Sequence, residues 1–335
     1  MAETDQLGRP VQDLRVSLTD RCNFRCTYCM PREIFGPEYQ FLPQEELLAF
    51  DEIARIARVF ARMGVGKVRL TGGEPLLRQG IEDLIARLAA IEGIEDLSLT
   101  TNASLLAGKA EMLRQAGLHR VNVSLDSVDN ATFRQVSDVN VSLERVLEGL
   151  EAAQRAGLEP VKVNAVIQRG VTDDGIEDLA AFARARGYTL RFIEYMDVGN
   201  TNGWKLDDVV PAREIVDRLE ARWPLEAIEP AYPGEVAERY RYRDGAGEVG
   251  VIASVTQPFC GTCTRARLSA QGELFTCLFA SQGQDLRGLL RRGADDAELE
   301  ASLRGTWAAR TDRYSRLRAV ATTSQPKVEM SYIGG

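Results

Sequence analysis

The chain has 335 residues, 44% of them hydrophobic, enough to bury a large core in one barrel-sized domain with an appendage. Its net charge of −8 argues against a general nucleic-acid or anionic-membrane surface, and no apolar run approaches bilayer-spanning length. His119 is the only histidine, which removes most hydrolytic triads and histidine-ligated metal sites.

Along the chain, short β-branched runs alternate with helical patterns. Strands are expected over Asp13 to Leu18, Lys67 to Thr71, Asp96 to Thr101, Arg120 to Leu125, Val161 to Ile167 and Thr189 to Glu194. Between them lie helical stripes such as Ile53, Ile56, Ala57 and Phe60, or Ile176, Leu179, Ala180 and Ala183. Gly64, Gly117, Gly157 and Gly187 each follow such a stretch and precede a strand, where a left-handed cap is expected. Six β-α units predict an α/β fold, an incomplete (β/α)6 TIM-type barrel two units short of closure, with a lateral opening.

Six cysteines form two triads: Cys22, Cys26 and Cys29, then Cys260, Cys263 and Cys277. Three thiolates are one short of the set that closes a tetrahedral zinc site or completes a four-iron cluster, so each triad predicts a metal centre with an open position. Closed zinc sites use similar short spacings, but His119 cannot be fourth ligand to both triads. In Gly117-Leu118-His119-Arg120 a packed or solvated imidazole is expected. Disulfides fit these spacings poorly, and the first thirty residues lack the continuous apolar core of a signal peptide. A reducing, cytoplasmic location is expected.

Barrel chemistry gathers at the C-terminal strand ends. There the sequence places the cysteine loop, Thr71-Gly72-Gly73-Glu74-Pro75, Thr100-Thr101-Asn102, Ser124-Leu125-Asp126 and Glu194-Tyr195-Met196. Singly these read as a turn, a helix cap and a solvated loop. Together with Cys22-Asn23-Phe24-Arg25-Cys26-Thr27-Tyr28-Cys29, they resemble the radical S-adenosylmethionine enzymes. That resemblance implies a 4Fe-4S cluster on the first triad, with its fourth iron binding S-adenosylmethionine. It also implies contact between Gly72-Gly73-Glu74-Pro75 and the methionyl amine, glycine permitting close backbone approach.

Around the second triad, Arg265 to Ser269 and Glu273 to Cys277 read as a hairpin about Ala270-Gln271-Gly272, expected to set Cys263 opposite Cys277. Arg265 and Arg267 share the parity of Cys263 and should project beside it. They could be solvated edge-strand arginines; next to a metal triad, planar guanidinium groups suit phosphate oxygens.

With Thr19 to Pro31, Phe259 to Leu268 and the terminal Gly334-Gly335, the chain is similar along its whole length to the molybdenum cofactor biosynthesis protein A family, the GTP 3',8-cyclases. The resemblance implies that hydrogen is taken from ribose C3′ of GTP and that C3′ then bonds to guanine C8. It further implies a second 4Fe-4S cluster on the C-terminal triad that holds the base. By matching positions, Arg15, Lys67, Arg69, Thr100, Lys162, Arg191, Arg265 and Arg267 would contact GTP. Tyr28, Gly73, Ser124 and Met196 would contact S-adenosylmethionine. Arg265, Arg267, Gly334 and Gly335 would stand at the reacting substrate. Five of these cations also fall inside predicted strands, where burial without an anion is costly.

The segment after Thr306 has the composition of a loose tail; the resemblance instead sends its glycine tip into the active-site channel. Family members often carry a glycine turn near Val136-Ser137-Asp138-Val139, absent here, and this turn is expected to touch no site residue. The turn-rich stretch Asn200 to Pro211 divides a barrel, residues 1–210, from a C-terminal α+β cluster domain, residues 211–335. An unidentified electron donor and a homodimer complete the expected partners. The alternatives are a peptide- or protein-modifying radical enzyme, and a non-enzymatic zinc or iron-sulfur scaffold.

Overall fold

The computed structural model describes residues 3–321 and 327–334. Its barrel strands are β1 (Asp13–Ser17), β2 (Lys67–Thr71), β3 (Asp96–Thr101), β4 (Arg120–Ser124), β5 (Lys162–Ile167) and β6 (Thr189–Glu194), agreeing with the expected runs to within a residue. The later strands are β7 (Leu225–Ile228), β8 (Glu238–Tyr242), β9 (Glu248–Ile252), β10 (Arg265–Leu268), β11 (Glu273–Phe275) and β12 (Gln284–Asp285). All join one sheet in the order β12-β11-β10-β1-β2-β3-β4-β5-β6-β9-β8-β7. β10 pairs parallel to β1 and β9 parallel to β6, so the C-terminal strands extend both edges of the six-stranded barrel instead of forming a sheet of their own.

Strand periodicity explains both faces. Leu14, Val16, Val68, Leu70, Leu97, Leu99, Val121, Val123, Val163, Leu190 and Phe192 are buried, and they form the apolar layer packed on the helices. The alternate positions, including Arg15, Arg69, Thr100, Ser124, Asn164 and Arg191, face a central cavity. A barrel interior is ordinarily filled by branched apolar side chains. Here the inward set is polar or cationic, which keeps the space open.

Local signals set the helices. Phe50–Arg62 buries Ile53, Ile56, Ala57 and Phe60, and Ile176–Arg186 buries Ile176, Leu179, Ala180 and Ala183. Gly64, Gly117, Gly157 and Gly187 all have positive φ, between +71° and +106°, as their places after helices require. His119 is structural: its Nδ1 accepts the Leu97 amide at 3.1 Å.

Candidate active site between two cysteine triads

The first triad leaves the C-terminal end of β1 in a tight turn, with the Cys29 and Met30 amides both donating to the Cys26 carbonyl at 2.9 Å. The glycine loop after β2 packs directly behind it. Gly73 N donates to Thr19 O at 2.7 Å and Glu74 N to Arg21 O at 2.8 Å, and a Cβ on Gly73 would run into the Arg21 carbonyl. Glycine is thus needed here for approach to the cysteine loop itself. The Glu74 carboxylate is buried, accepting from Leu76 N, Thr101 Oγ1 and Asn102 N at 3.0, 2.7 and 2.8 Å. Burial lifts its pKa to about 7 against those three bonds.

The turn near Asp138 departs from expectation. It does touch the site, since Arg25 N donates to Ser137 O and Thr27 N to Val136 O, both at 3.0 Å. Asp138 adopts φ +43°, and its carboxylate accepts from Arg32 at 2.8 Å. Aspartate is among the few residues besides glycine that tolerate this left-handed conformation.

All six cysteines are free and partly buried. In the first triad, burial pushes the Cys22 thiol up to about 12, with Glu74 adding to the shift, and carries Cys26 and Cys29 upward as well. Thiols so placed become stable thiolates only beside bound cationic iron. Among the described residues, no three histidine, cysteine or carboxylate groups gather tightly enough for a single metal ion. A cluster asks for a thiolate at each of separate irons, so an all-sulfur triad facing a cavity fits it.

The second triad stands on a hairpin about the expected turn, but Cys263 does not fall opposite Cys277. Arg267 pairs with Phe275 and Leu268 with Leu274, which sets Cys277 level with Arg265 and diagonal to Cys263. The loop is fixed through its carbonyls: Arg9 Nη1 donates to Cys260 O and Arg310 Nη1 to Cys263 O, each at 2.7 Å. Arg265 Nη2 lies 3.2 Å from Cys263 Sγ. Burial alone would raise the Cys263 thiol, but Arg265 and Arg310 bring it down to about 6, while burial raises Cys277 to about 11.

Cations connect the two triads. Arg267, Arg15 and Arg69 stand level on the adjacent strands β10, β1 and β2. Burial, then repulsion by Arg120 and Arg191, pulls Arg69 down to about 10; burial, then Arg265, pulls Arg267 down to about 9; burial, then Arg267 and Arg69, lowers Arg15, though guanidinium stays charged at neutral pH. Arg191 meets Glu235 at 3.6 Å, and Lys67 lies over the Tyr232 ring. Among the described residues, Arg69 Nε, Thr100 Oγ1 and Asn164 Oδ1 are buried with no hydrogen-bond partner, as expected of groups awaiting a ligand.

One cavity of about 320 Å³ is lined by both triads, Arg15, Arg69, Thr100, Arg191, Arg265 and Arg267, together with Tyr28, Gly73, Ser124 and Met196. Lys67 and Lys162 stand beside it without lining it. The Tyr28 hydroxyl is already used, donating to Asp126 Oδ2 at 2.8 Å. Burial raises Asp126 to about 6, opposed by that bond and by the Val166 amide. Gly334 has φ +74°, its carbonyl accepts from Arg267 Nη1, and a Cβ there would run into Thr71. Gly335 lies outside the described residues.

Several site residues escaped the sequence reading. Asn164 could have been found from its inward parity with Lys162; Asp126 was placed at its strand end but read as a solvated loop residue. Tyr232, Glu235, Arg9 and Arg310 are brought in by long-range packing and carry no local signal.

The fold and the sulfur-lined cavity define a radical S-adenosylmethionine enzyme, and residues 16–183 match that superfamily. Residues 188–316 match the Molybdenum Cofactor Synthesis C family. A GTP 3',8-cyclase of Acidothermus cellulolyticus is 56% identical over 99% of this chain and 98% of its own. Those of Xanthomonas axonopodis pv. citri and Staphylococcus carnosus are 51% and 48% identical, each over 99% of this chain and 98% of theirs. The chain belongs to the GTP 3',8-cyclase family. Among solved structures, Streptococcus suis SuiB bound to S-adenosylmethionine shares the fold, with a TM-score of 0.63 at 17% identity over 92% of this chain and 70% of that one.

Proposed function

We propose that this enzyme converts GTP to (8S)-3',8-cyclo-7,8-dihydroguanosine 5'-triphosphate, an early step of molybdenum cofactor biosynthesis. The observation that carries the reading is the row of level arginines, Arg267, Arg15 and Arg69, spanning a cavity with a sulfur triad at each side. Buried like charges at one sheet level are costly, and a triphosphate offsets that cost. Arg15, Arg69 and Arg191 would hold its phosphates from the cavity wall, with Thr100 a further donor and Lys67 and Lys162 reaching it from beside the wall.

Cys22, Cys26 and Cys29 would hold the 4Fe-4S cluster whose electron, with S-adenosylmethionine bound, generates a 5'-deoxyadenosyl radical. Gly73, Ser124, Met196 and the Tyr28 ring line the space for S-adenosylmethionine. Cys260, Cys263 and Cys277 would hold a second 4Fe-4S cluster that positions guanine, beside Arg265. Arg267 and the Gly334-Gly335 tip then face the ribose. Hydrogen leaves C3′, C3′ bonds to C8, and one electron and one proton complete the product. That electron requires an external reductant protein or dithionite. On this reading residues 1–210 carry the radical chemistry and residues 211–335 the base site, and a homodimer is compatible with it.

The test is anaerobic reconstitution followed by incubation with GTP, S-adenosylmethionine and dithionite. Iron should reach about eight per chain, and 5'-deoxyadenosine with the cyclised nucleotide should form only when both nucleotides are present. Release triggered by a peptide and not by GTP would replace the reading with the peptide-modifying alternative.

A further inference from the structure

The tail that brings Gly334 to Arg267 is held upstream by a turn on a different strand. Residues 197–201 follow β6, just after Met196. Glu329 accepts the Asn200 amide at 3.0 Å through Oε1 and the Thr201 hydroxyl at 3.1 Å through Oε2. Lys327 N donates to Asn200 Oδ1 at 2.9 Å, while Asn200 Nδ2 donates back to the Lys327 carbonyl. Lys327 Nζ reaches the buried Asp197 carboxylate at 2.9 Å and its carbonyl at 2.7 Å. Gly199 has φ +64°, and a Cβ there would collide with the Glu329 carboxylate.

The turn itself is braced from behind. Asn202 Nδ2 donates to Met196 O at 2.9 Å, Tyr195 OH to Asn202 O at 2.7 Å, and Trp204 Nε1 to Tyr195 O at 2.9 Å. Downstream of Glu329 the tail is one short helix, Met330–Ile333, whose Tyr332 and Gly334 amides donate to Glu329 O and Met330 O at 3.1 and 2.8 Å. Tyr332 OH also hydrogen-bonds to Gln271 and Glu273, so Glu329 is one of two anchors on the single helical turn that carries Gly334.

We infer that Glu329, seated in the Gly199-Asn200-Thr201 turn, is a positioning residue that fixes the glycine tip against Arg267 and links its placement to the strand end bearing Met196. This rests on the proposed role of the tip at the substrate. The Glu329 carboxylate is hydrogen-bonded to the turn, and its charge also reaches the Cys29 thiol. Glu329 acts through the tail, and a neutral amide, whose oxygen can accept from the Asn200 N–H while its NH2 donates to the Thr201 hydroxyl oxygen, should largely replace it.

The test compares E329A, E329Q and a chain ending at Ile333, alone and combined with E329A, as reconstituted full-length protein. In E329A, hydrogen exchange at the Gly334 amide should accelerate while β1 and β2 keep their protection. Its kcat should fall about tenfold to a hundredfold, as displaced catalytic groups do, with KM for GTP changed less than about threefold. E329Q should stay within about threefold of the parent. Truncation in the E329A background should cost nothing beyond truncation alone, because both act on one element. Unchanged exchange at Gly334, additive losses, or loss of protection across β1 and β2 would each overturn the inference. Full activity of the truncated chain would instead overturn the role of the tip, leaving the exchange result to stand for the latch.

Discussion

Arg15 on β1 stands at the same level as Arg69 on β2, one interstrand spacing of about 4.8 Å away. Burial lowers the pKa of both guanidinium groups; repulsion by Arg267 and then Arg69 lowers Arg15 further, and repulsion by Arg120 and Arg191 lowers Arg69. A like-charged row of this kind works against the ligand-free fold and for an anion. R69M should therefore leave the melting temperature of the free protein unchanged or raised. The same variant should weaken GTP binding about tenfold to a hundredfold, the cost of a lost charge-assisted hydrogen bond. Calorimetric titration and thermal melts with and without GTP check both signs together. A melting temperature that falls without ligand would make Arg69 a support of the fold.

Lys162 gives a pH dependence of definite sign. Burial, then repulsion by Arg191, Arg120 and Arg69, lowers its pKa to about 7. In the free protein the ammonium is thus half discharged near neutrality, and a phosphate can bind it strongly only when protonated. GTP binding above pH 7 should take up a proton and weaken as pH rises, until the bound-state pKa is passed. Folding stability runs the other way. The unfolded lysine binds more protons between about 7 and about 10.4, so its contribution rises with pH across that window. Titration calorimetry in two buffers of different ionisation enthalpy at pH 8 measures the uptake. K162R should abolish it, and an unchanged uptake in K162R would assign the proton to another group.

The six barrel strands were legible because a strand with one face packed on helices and the other turned to a polar cavity leaves a local alternation in its sequence. Lys67–Thr71 and Thr189–Glu194 match the expected ranges end to end, and Gly157 and Gly187 mark the stops before β5 and β6. The cysteine spacings and the cations were legible for a related reason, since they break the apolar pattern that a filled barrel would need. What stayed hidden depends on distant pairing. Nothing local in Arg265–Leu268 or Glu248–Ile252 says that they dock parallel to β1 and β6, so a continuous sheet was not foreseen. In the second-triad hairpin the turn was read correctly but its consequence was not, since three residues between Ser269 and Glu273 carry Cys277 level with Arg265 and not with Cys263. Asp138 was read as remote from the site, yet its turn supplies carbonyls to Arg25 and Thr27, a contact fixed only when the helix Asn130–Ser137 packs on the cysteine loop.

Gly73 offers a sharp test of how the glycine loop supports the first triad. Its constraint is space, because the Arg21 carbonyl occupies the place a Cβ would take, and Arg21 directly precedes Cys22. In G73A either the loop or that carbonyl must move, breaking the short bonds from Gly73 N to Thr19 O or from Glu74 N to Arg21 O. Overpacking of this kind costs about 1–3 kcal/mol, so the protein should still fold. The damage should fall selectively on the neighbouring triad. After reconstitution, iron should drop from about eight toward about four per chain, with S-adenosylmethionine binding lost and the C-terminal triad still loaded. C277S is the mirror control, sparing the first triad while emptying the second. Iron content, Mössbauer spectra and S-adenosylmethionine titration distinguish the two. If G73A assembles both clusters and binds S-adenosylmethionine normally, the contact with Arg21 relaxes without moving Cys22, and the glycine is not what holds that loop in place.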